Sequence, residues 1–126
     1  MIEKFAWLFG IVFLAVGVLG FVPGITQDGL LLGIFEVDTL HNVIHLLSGA
    51  LALGAVLAGG YARRYFQVFG VVYGLVAVVG LVEGDTVLGL ISTNMADHLL
   101  HVIIAAAALW IGFGLKERGM SEAPSM

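Results

Sequence analysis

Four apolar runs of about 20 residues make up most of the chain and limit what it can fold into. They cover residues 5–22, 39–60, 63–82 and 94–115, with short polar or glycine-containing loops between them. A helix needs about 20 such residues to cross roughly 30 Å of hydrocarbon. Because 60% of the 126 residues are hydrophobic and 11% are charged, too few polar residues remain to cover a water-soluble globule. We predict an all-α integral membrane four-helix bundle, a single transmembrane domain over residues 1–126.

The segments outside the spans are short. Residues 25–37 are too polar and interrupted to cross, and we expect an interfacial loop or short helix there, whereas 86–93 form a return loop. The first run is long for a signal peptide and ends in Pro23-Gly24 without a small-residue cleavage site, so it is interpreted as a retained span. Residues 116–126 form a polar cytoplasmic tail.

The chain is predicted to be a tandem duplication of one helical hairpin. At an offset of 60, residues 8–24 match 68–84 at eight positions, and at an offset of 56 the second halves match as well, with His45 on His101. The two units cover about residues 5–60 and 63–115. Because each unit holds two spans, both would enter the membrane the same way round, as a parallel internal repeat.

The basic residues predict the orientation. All five fall on one side of the predicted membrane: Lys4, Arg63, Arg64, Lys116 and Arg118. Such residues concentrate in the cytoplasm, so we expect a multi-pass protein of the cell membrane with both termini cytoplasmic. With a net charge of −4, the chain offers no cationic face for nucleic acid. The expected partners are the lipid bilayer and either a second copy of the chain or another membrane protein.

All four histidines lie in two short stretches at the outer ends of spans two and four, residues 38–45 and 94–101. On a helix, His41 and His45 lie about 40° apart and His98 and His101 about 60° apart, so each pair faces one way. Ionisable side chains inside a membrane usually face the bundle interior and mark a site. Asp38 and Asn94 are the expected N-caps of the two helices.

Three interpretations of the histidines remain open. The first is a site for a transition metal, zinc or copper, with His41, His45, His98 and His101 and the carboxylate of Asp97 as ligands. The second is haem b held between His45 and His101 in an electron-transfer protein. In the third no cofactor binds, Asp97 completes a capping box, and the histidines form an interhelical polar network in a structural or interaction protein.

No pattern in the chain predicts catalysis. A nucleophile with its base, a phosphate-binding loop and paired carboxylates are all missing from the sequence. The absence of Cys excludes disulfides, thiolate metal sites and covalent haem. We therefore name no catalytic residues and favour a binding or scaffolding protein over an enzyme.

The segment L-G-I-F followed by L-H-N-x-x-H-L-x-x-G, within residues 32–49, resembles an uncharacterised prokaryotic family of small four-span membrane proteins, domain of unknown function 4383. The segment D-H-L-L-H at 97–101 is also similar to that family. The resemblance covers nearly the whole chain and implies the four-span fold. It implies no activity and does not choose among the three interpretations.

Overall fold

The computed structural model describes residues 1–116 and contains four long helices. These are α1 (Ile2–Leu19), α2 (Thr39–Ala58), α3 (Ala62–Glu83) and α4 (Met95–Leu109), the last continuing as a π-helix over Trp110–Gly114. Each is long and apolar enough to cross a bilayer, which confirms the all-α, four-span architecture of a multi-pass membrane protein. The predicted tail from residue 117 onward, including Arg118, lies outside the described residues.

The α1–α2 loop and the α3–α4 loop both contain short antiparallel strands. The first holds β1 (Thr26–Gln27), β2 (Leu30–Leu31) and β3 (Phe35–Glu36), and the second holds β4 (Thr86–Val87) and β5 (Ile91–Ser92). The expected alternative of a surface helix at 25–37 is therefore wrong. The reason is local, because Asp28-Gly29 joins β1 to β2 with positive φ at both residues, 54° and 79°. An Asp-Gly pair of this kind is a strong hairpin signal.

The helices pair as two antiparallel hairpins, α1 with α2 and α3 with α4. The buried face of α1 repeats every three to four residues: Ile2, Ala6, Gly10, Phe13 and Gly17. Gly10 lies against Leu53 and Gly17 against Leu46, so close that a Cβ on either glycine would overlap the leucine. Small residues let helix backbones approach in this way in membranes, where apolar burial itself gives little drive for association. The leucines, valines and isoleucines on the opposite faces remain exposed, as expected for surfaces that contact lipid.

Aromatic rings fill the centre of the bundle between the two hairpins. Phe66 is fully buried and packs edge-on against Phe9, with ring centroids 4.9 Å apart. Phe69 stacks on Tyr73 at 4.2 Å, and Phe13 packs against both. These five side chains form a continuous aromatic column, and Phe13 and Tyr73 at one end of it contact the rings of His45 and His101.

Candidate functional site

The N-terminal ends of α2 and α4 are fixed by side-chain caps. Asp38 accepts a hydrogen bond from the His41 backbone N–H at 2.8 Å. Asn94 accepts from the Asp97 N–H, and the Asp97 carboxylate accepts from the Asn94 N–H, both at 3.0 Å. The predicted N-caps and capping box are thus confirmed. Capping satisfies amides that have no partner within the helix. The first turns of α2 and α4, where the histidine stretches begin, are therefore held in place.

Each cap also reaches the loop of the other hairpin. Asp38 Oδ2 accepts from the Ser92 N–H at 2.9 Å, and Asn94 Nδ2 donates to the Ile34 carbonyl at 2.9 Å. Partial burial acts to raise the pKa of the Asp38 carboxyl, but the hydrogen bonds from His41 and Ser92 outweigh it, and its pKa lies below the ordinary value. A carboxylate at this junction therefore ties the two hairpins together.

Three of the four histidines converge where these loops close over the bundle. His41, His45 and His101 each place one ring nitrogen so that all three lie within 4.8 Å of one another. The His41 ring centroid lies 4.5 Å from that of His45 and 5.8 Å from that of His101. All three side chains are buried, and they come from both hairpins. The group therefore forms only when the two hairpins are packed together.

The same three histidines have unused hydrogen-bonding capacity. Nε2 of His41, Nδ1 of His45 and Nδ1 of His101 are buried without a hydrogen-bond partner among the described residues. The other nitrogen of His41, Nδ1, lies 3.2 Å from the Ser92 carbonyl oxygen. Because a carbonyl only accepts, Nδ1 donates there, which leaves a lone pair on Nε2 in the neutral ring. Metal-binding histidines are commonly oriented by such a second bond.

The structure does not bring the other two predicted ligands, His98 and Asp97, into this group. His98 Nε2 donates to the Gly84 carbonyl at the end of α3, with a nitrogen–oxygen distance of 2.6 Å. Its ring lies on Gly80, where a Cβ would meet Nδ1 at 2.5 Å. Asp97 is occupied by the capping box. Both residues are buried, but in the described structure they serve helix ends.

A cavity of about 50 Å³ adjoins the three histidines, and Thr93, Tyr73 and apolar residues complete its lining. Sequence reasoning missed both of these polar residues. The only signal for Thr93 was its place next to the cap Asn94, and Tyr73 looked like one more apolar position of span three. Tyr73 shares a hydrogen bond of 3.0 Å with the Ser48 hydroxyl and packs edge-on against His101 at 5.6 Å. It therefore closes the cavity on the side toward the membrane centre.

Comparison with known proteins gives a family but no activity. A search of curated proteins and a search of solved structures found no match. The family model described as "Domain of unknown function (DUF4383)" matches residues 3–114. Because that match takes in all four spans and both histidine stretches, the chain belongs to the family of the domain of unknown function DUF4383.

Proposed function

We propose that this membrane protein binds one transition-metal ion, zinc or copper, through His41, His45 and His101. The observation that carries the proposal is the convergence of three buried imidazoles from two hairpins, with ring nitrogens within 4.8 Å of one another. Each ring also has one buried nitrogen without a partner in the described part of the chain. Buried polar atoms are nearly always hydrogen-bonded, and a bound ion is one of the few explanations for exceptions.

The donor set fits these metals. Imidazole nitrogen suits zinc and copper, and three histidines with one open position form a common zinc coordination set. A zinc–nitrogen bond is about 2.0–2.1 Å, so ligand nitrogens in a tetrahedral site lie roughly 3.4 Å apart. The rings therefore need to close in by about 1 Å or slightly more, a movement within reach of small side-chain rotations.

The alternative of haem b held by His45 and His101 fits the cavity less well. The cavity lined by both His45 and His101 is about 50 Å³, and a cavity of about 260 Å³ that adjoins His45 is not lined by His101. Binding sites for organic ligands usually measure about 300–1,000 Å³. Tyr73 and Phe13 pack against His101 and His45 from below, each with ring centroids 5.6 Å apart. A porphyrin would have to displace these rings, and we therefore favour a bare ion.

The interpretation as a purely structural network explains only part of the site. It accounts for the bonds from His41 to Ser92 and from His98 to Gly84. It provides no partner for Nδ1 of His45 and Nδ1 of His101, whereas Nδ1 of His98 has no partner in the described structure under either interpretation. A network with several unsatisfied members is less stable than an apolar core of the same shape, so this interpretation leaves the cluster without a physical reason.

The test is elemental analysis of the full chain purified in detergent, together with its absorption spectrum. We expect one zinc or copper per chain and no Soret band. His45→Ala and His101→Ala should each lower the bound metal at least about tenfold, since removing one of three ligands weakens both chelation and geometry. A Soret band in the wild-type protein that disappears in the same variants would show that the bound group is haem instead of a metal ion.

His98→Asn is the matched control, because His98 is buried next to the cluster but belongs to another hydrogen bond. Asparagine already occupies the corresponding place in the first hairpin, where Asn42 lies on Gly20. We expect His98→Asn to keep one metal per chain. If purified wild-type protein takes up neither metal nor haem, and the His45 and His101 variants change only thermal stability, the structural interpretation replaces the proposal.

We further propose the duplicated hairpin and the orientation with both termini in the cytoplasm. Residues that correspond in the predicted repeat make corresponding contacts: Gly10 with Leu53 and Gly70 with Leu109, and Gly20 with Asn42 and Gly80 with His98. The described basic residues lie toward the end of the bundle where α1 and α3 begin. In this orientation the metal site faces the outside of the cell membrane.

A further inference from the structure

The side chain of Thr93 has no evident role in holding the fold together. It is 2% exposed, and its Oγ1 has no hydrogen-bond partner among the described residues. It lines the cavity of about 50 Å³ together with His41, His45 and His101. A buried hydroxyl without a partner is rare in proteins, and this one lies beside three buried nitrogens in the same condition.

The backbone around Thr93 is held from both sides. The Thr93 N–H donates to the Asp85 carbonyl at 2.9 Å. The preceding residue, Ser92, donates its N–H to Asp38 and accepts from His41 through its carbonyl. The backbone of Thr93 is therefore fixed at a position where the residue lines the cavity. In the predicted repeat Thr93 corresponds to Val37, which is also buried, so a loop of this shape can be built with no hydroxyl at that point.

We propose that Thr93 Oγ1 hydrogen-bonds a water or hydroxide that occupies the fourth coordination position of the ion, an inference that rests on the proposed metal site. A cavity needs about 10–15 Å³ to hold a water molecule, and this one is larger. Zinc sites that only stabilise structure are closed by four protein ligands, whereas sites that do chemistry keep three plus an exchangeable ligand. The site accordingly binds small oxygen or nitrogen donors at an open Lewis-acid centre.

The probe is azide added to full-length protein loaded with Co²⁺ in detergent, followed by the visible absorption of the cobalt. Wild type should show a saturable spectral change, because azide replaces the exchangeable ligand. Thr93→Val should keep one Co²⁺ per chain and bind azide at least about tenfold more weakly, the usual effect of losing a hydrogen bond to a charged ligand. Thr93→Ser should restore the affinity to within about threefold.

Two further measurements keep the result unambiguous. Metal-free Thr93→Val should melt no lower than wild type, since the hydroxyl it loses has no partner; Thr93→Ala serves if the valine variant does not fold. A cobalt spectrum that azide leaves unchanged, or equal azide affinities in wild type and Thr93→Val, would overturn the role of Thr93 and leave the metal site standing. Wild-type protein that takes up no Co²⁺ or Zn²⁺ would overturn the proposed function itself.

Discussion

Gly80 and Gly20 show how single residues make room for polar side chains within this bundle. The His98 ring lies over Gly80, and the Asn42 amide lies over Gly20, in places that a Cβ would occupy. At Gly80 the ring is thereby directed toward the Gly84 carbonyl. The absence of a side chain at one position thus decides which way a buried histidine on the neighbouring helix points.

Gly80→Ala should destabilise the protein by about 1–3 kcal/mol, because the added methyl overlaps a ring that packing and a hydrogen bond hold in place. Thermal unfolding in detergent, followed by circular dichroism, measures the change. The matched control is Gly54→Ala in α2, where a Cβ meets nothing within 4 Å; it should be neutral or gain about 0.5–1 kcal/mol from helix propensity. Equal melting temperatures for Gly80→Ala and wild type would show that His98 is free to move aside.

The sequence indicates the histidines as a site but does not tell which of them converge. Helical spacing places His98 and His101 on one face, yet only His101 points to His41 and His45. The difference depends on the rotation of α4 against α3 and on the proximity of Gly80, and both are tertiary properties. Thr93 was missed for a similar reason, since its position depends on bonds between the loop and the other hairpin.

The two loops that contain the strands add hydrogen bonds between the hairpins to the packing of the aromatic column. A strand of two residues is too short to show a periodic sequence pattern, so the sheets could not be predicted from the sequence. The caps Asp38 and Asn94 could be predicted, because capping depends only on neighbouring residues. Asp38 holds two N–H groups, one at the start of α2 and one in β5. The first hairpin is thereby linked to the second at the edge of the histidine cluster.

This junction predicts a pH dependence. The pKa of Asp38 is lower in the folded protein than the ordinary value of 3.8, so its contribution to stability is fully present above about pH 3.8. That contribution decreases as the pH falls from there through the folded pKa, because the unfolded state then binds more protons. Asp38→Asn should melt lower than wild type at pH 6, and the difference should shrink toward pH 3.

Asp28→Asn serves as the control for this prediction, because it removes one acidic charge from a turn of the same loop. We expect it to melt close to wild type at pH 6. If Asp38→Asn and Asp28→Asn behave alike across the range, the hydrogen bonds of Asp38 contribute no measurable stability, and the junction is held by packing alone.

Across the whole molecule, the polar chemistry lies at one end of an apolar bundle. The aromatic column of Phe9, Phe13, Phe66, Phe69 and Tyr73 fills the space below the histidines. The hydroxyls of Tyr73, Ser48 and Tyr65 lie among these rings and are already hydrogen-bonded, Ser48 with Tyr73 and Tyr65 to the Ser48 carbonyl. The described part of the bundle interior below the histidines therefore offers neutral, engaged hydroxyls and aromatic rings, in contrast to the imidazoles at its end.

Cysteine labelling can test on which side of the membrane the histidine cluster lies. The chain contains no cysteine, so only an engineered cysteine would react with the label. Leu90 lies in the loop between β4 and β5, at the histidine end of the bundle, and is 69% exposed, while Tyr61 lies in the turn before α3 and is 59% exposed. In intact cells a membrane-impermeant maleimide should label Leu90→Cys at once and Tyr61→Cys only after permeabilisation. This follows from the proposed orientation, in which the basic residues near the Tyr61 end are cytoplasmic. The reverse labelling pattern would place the histidines at the cytoplasmic face, and the metal would then have to come from the cell interior.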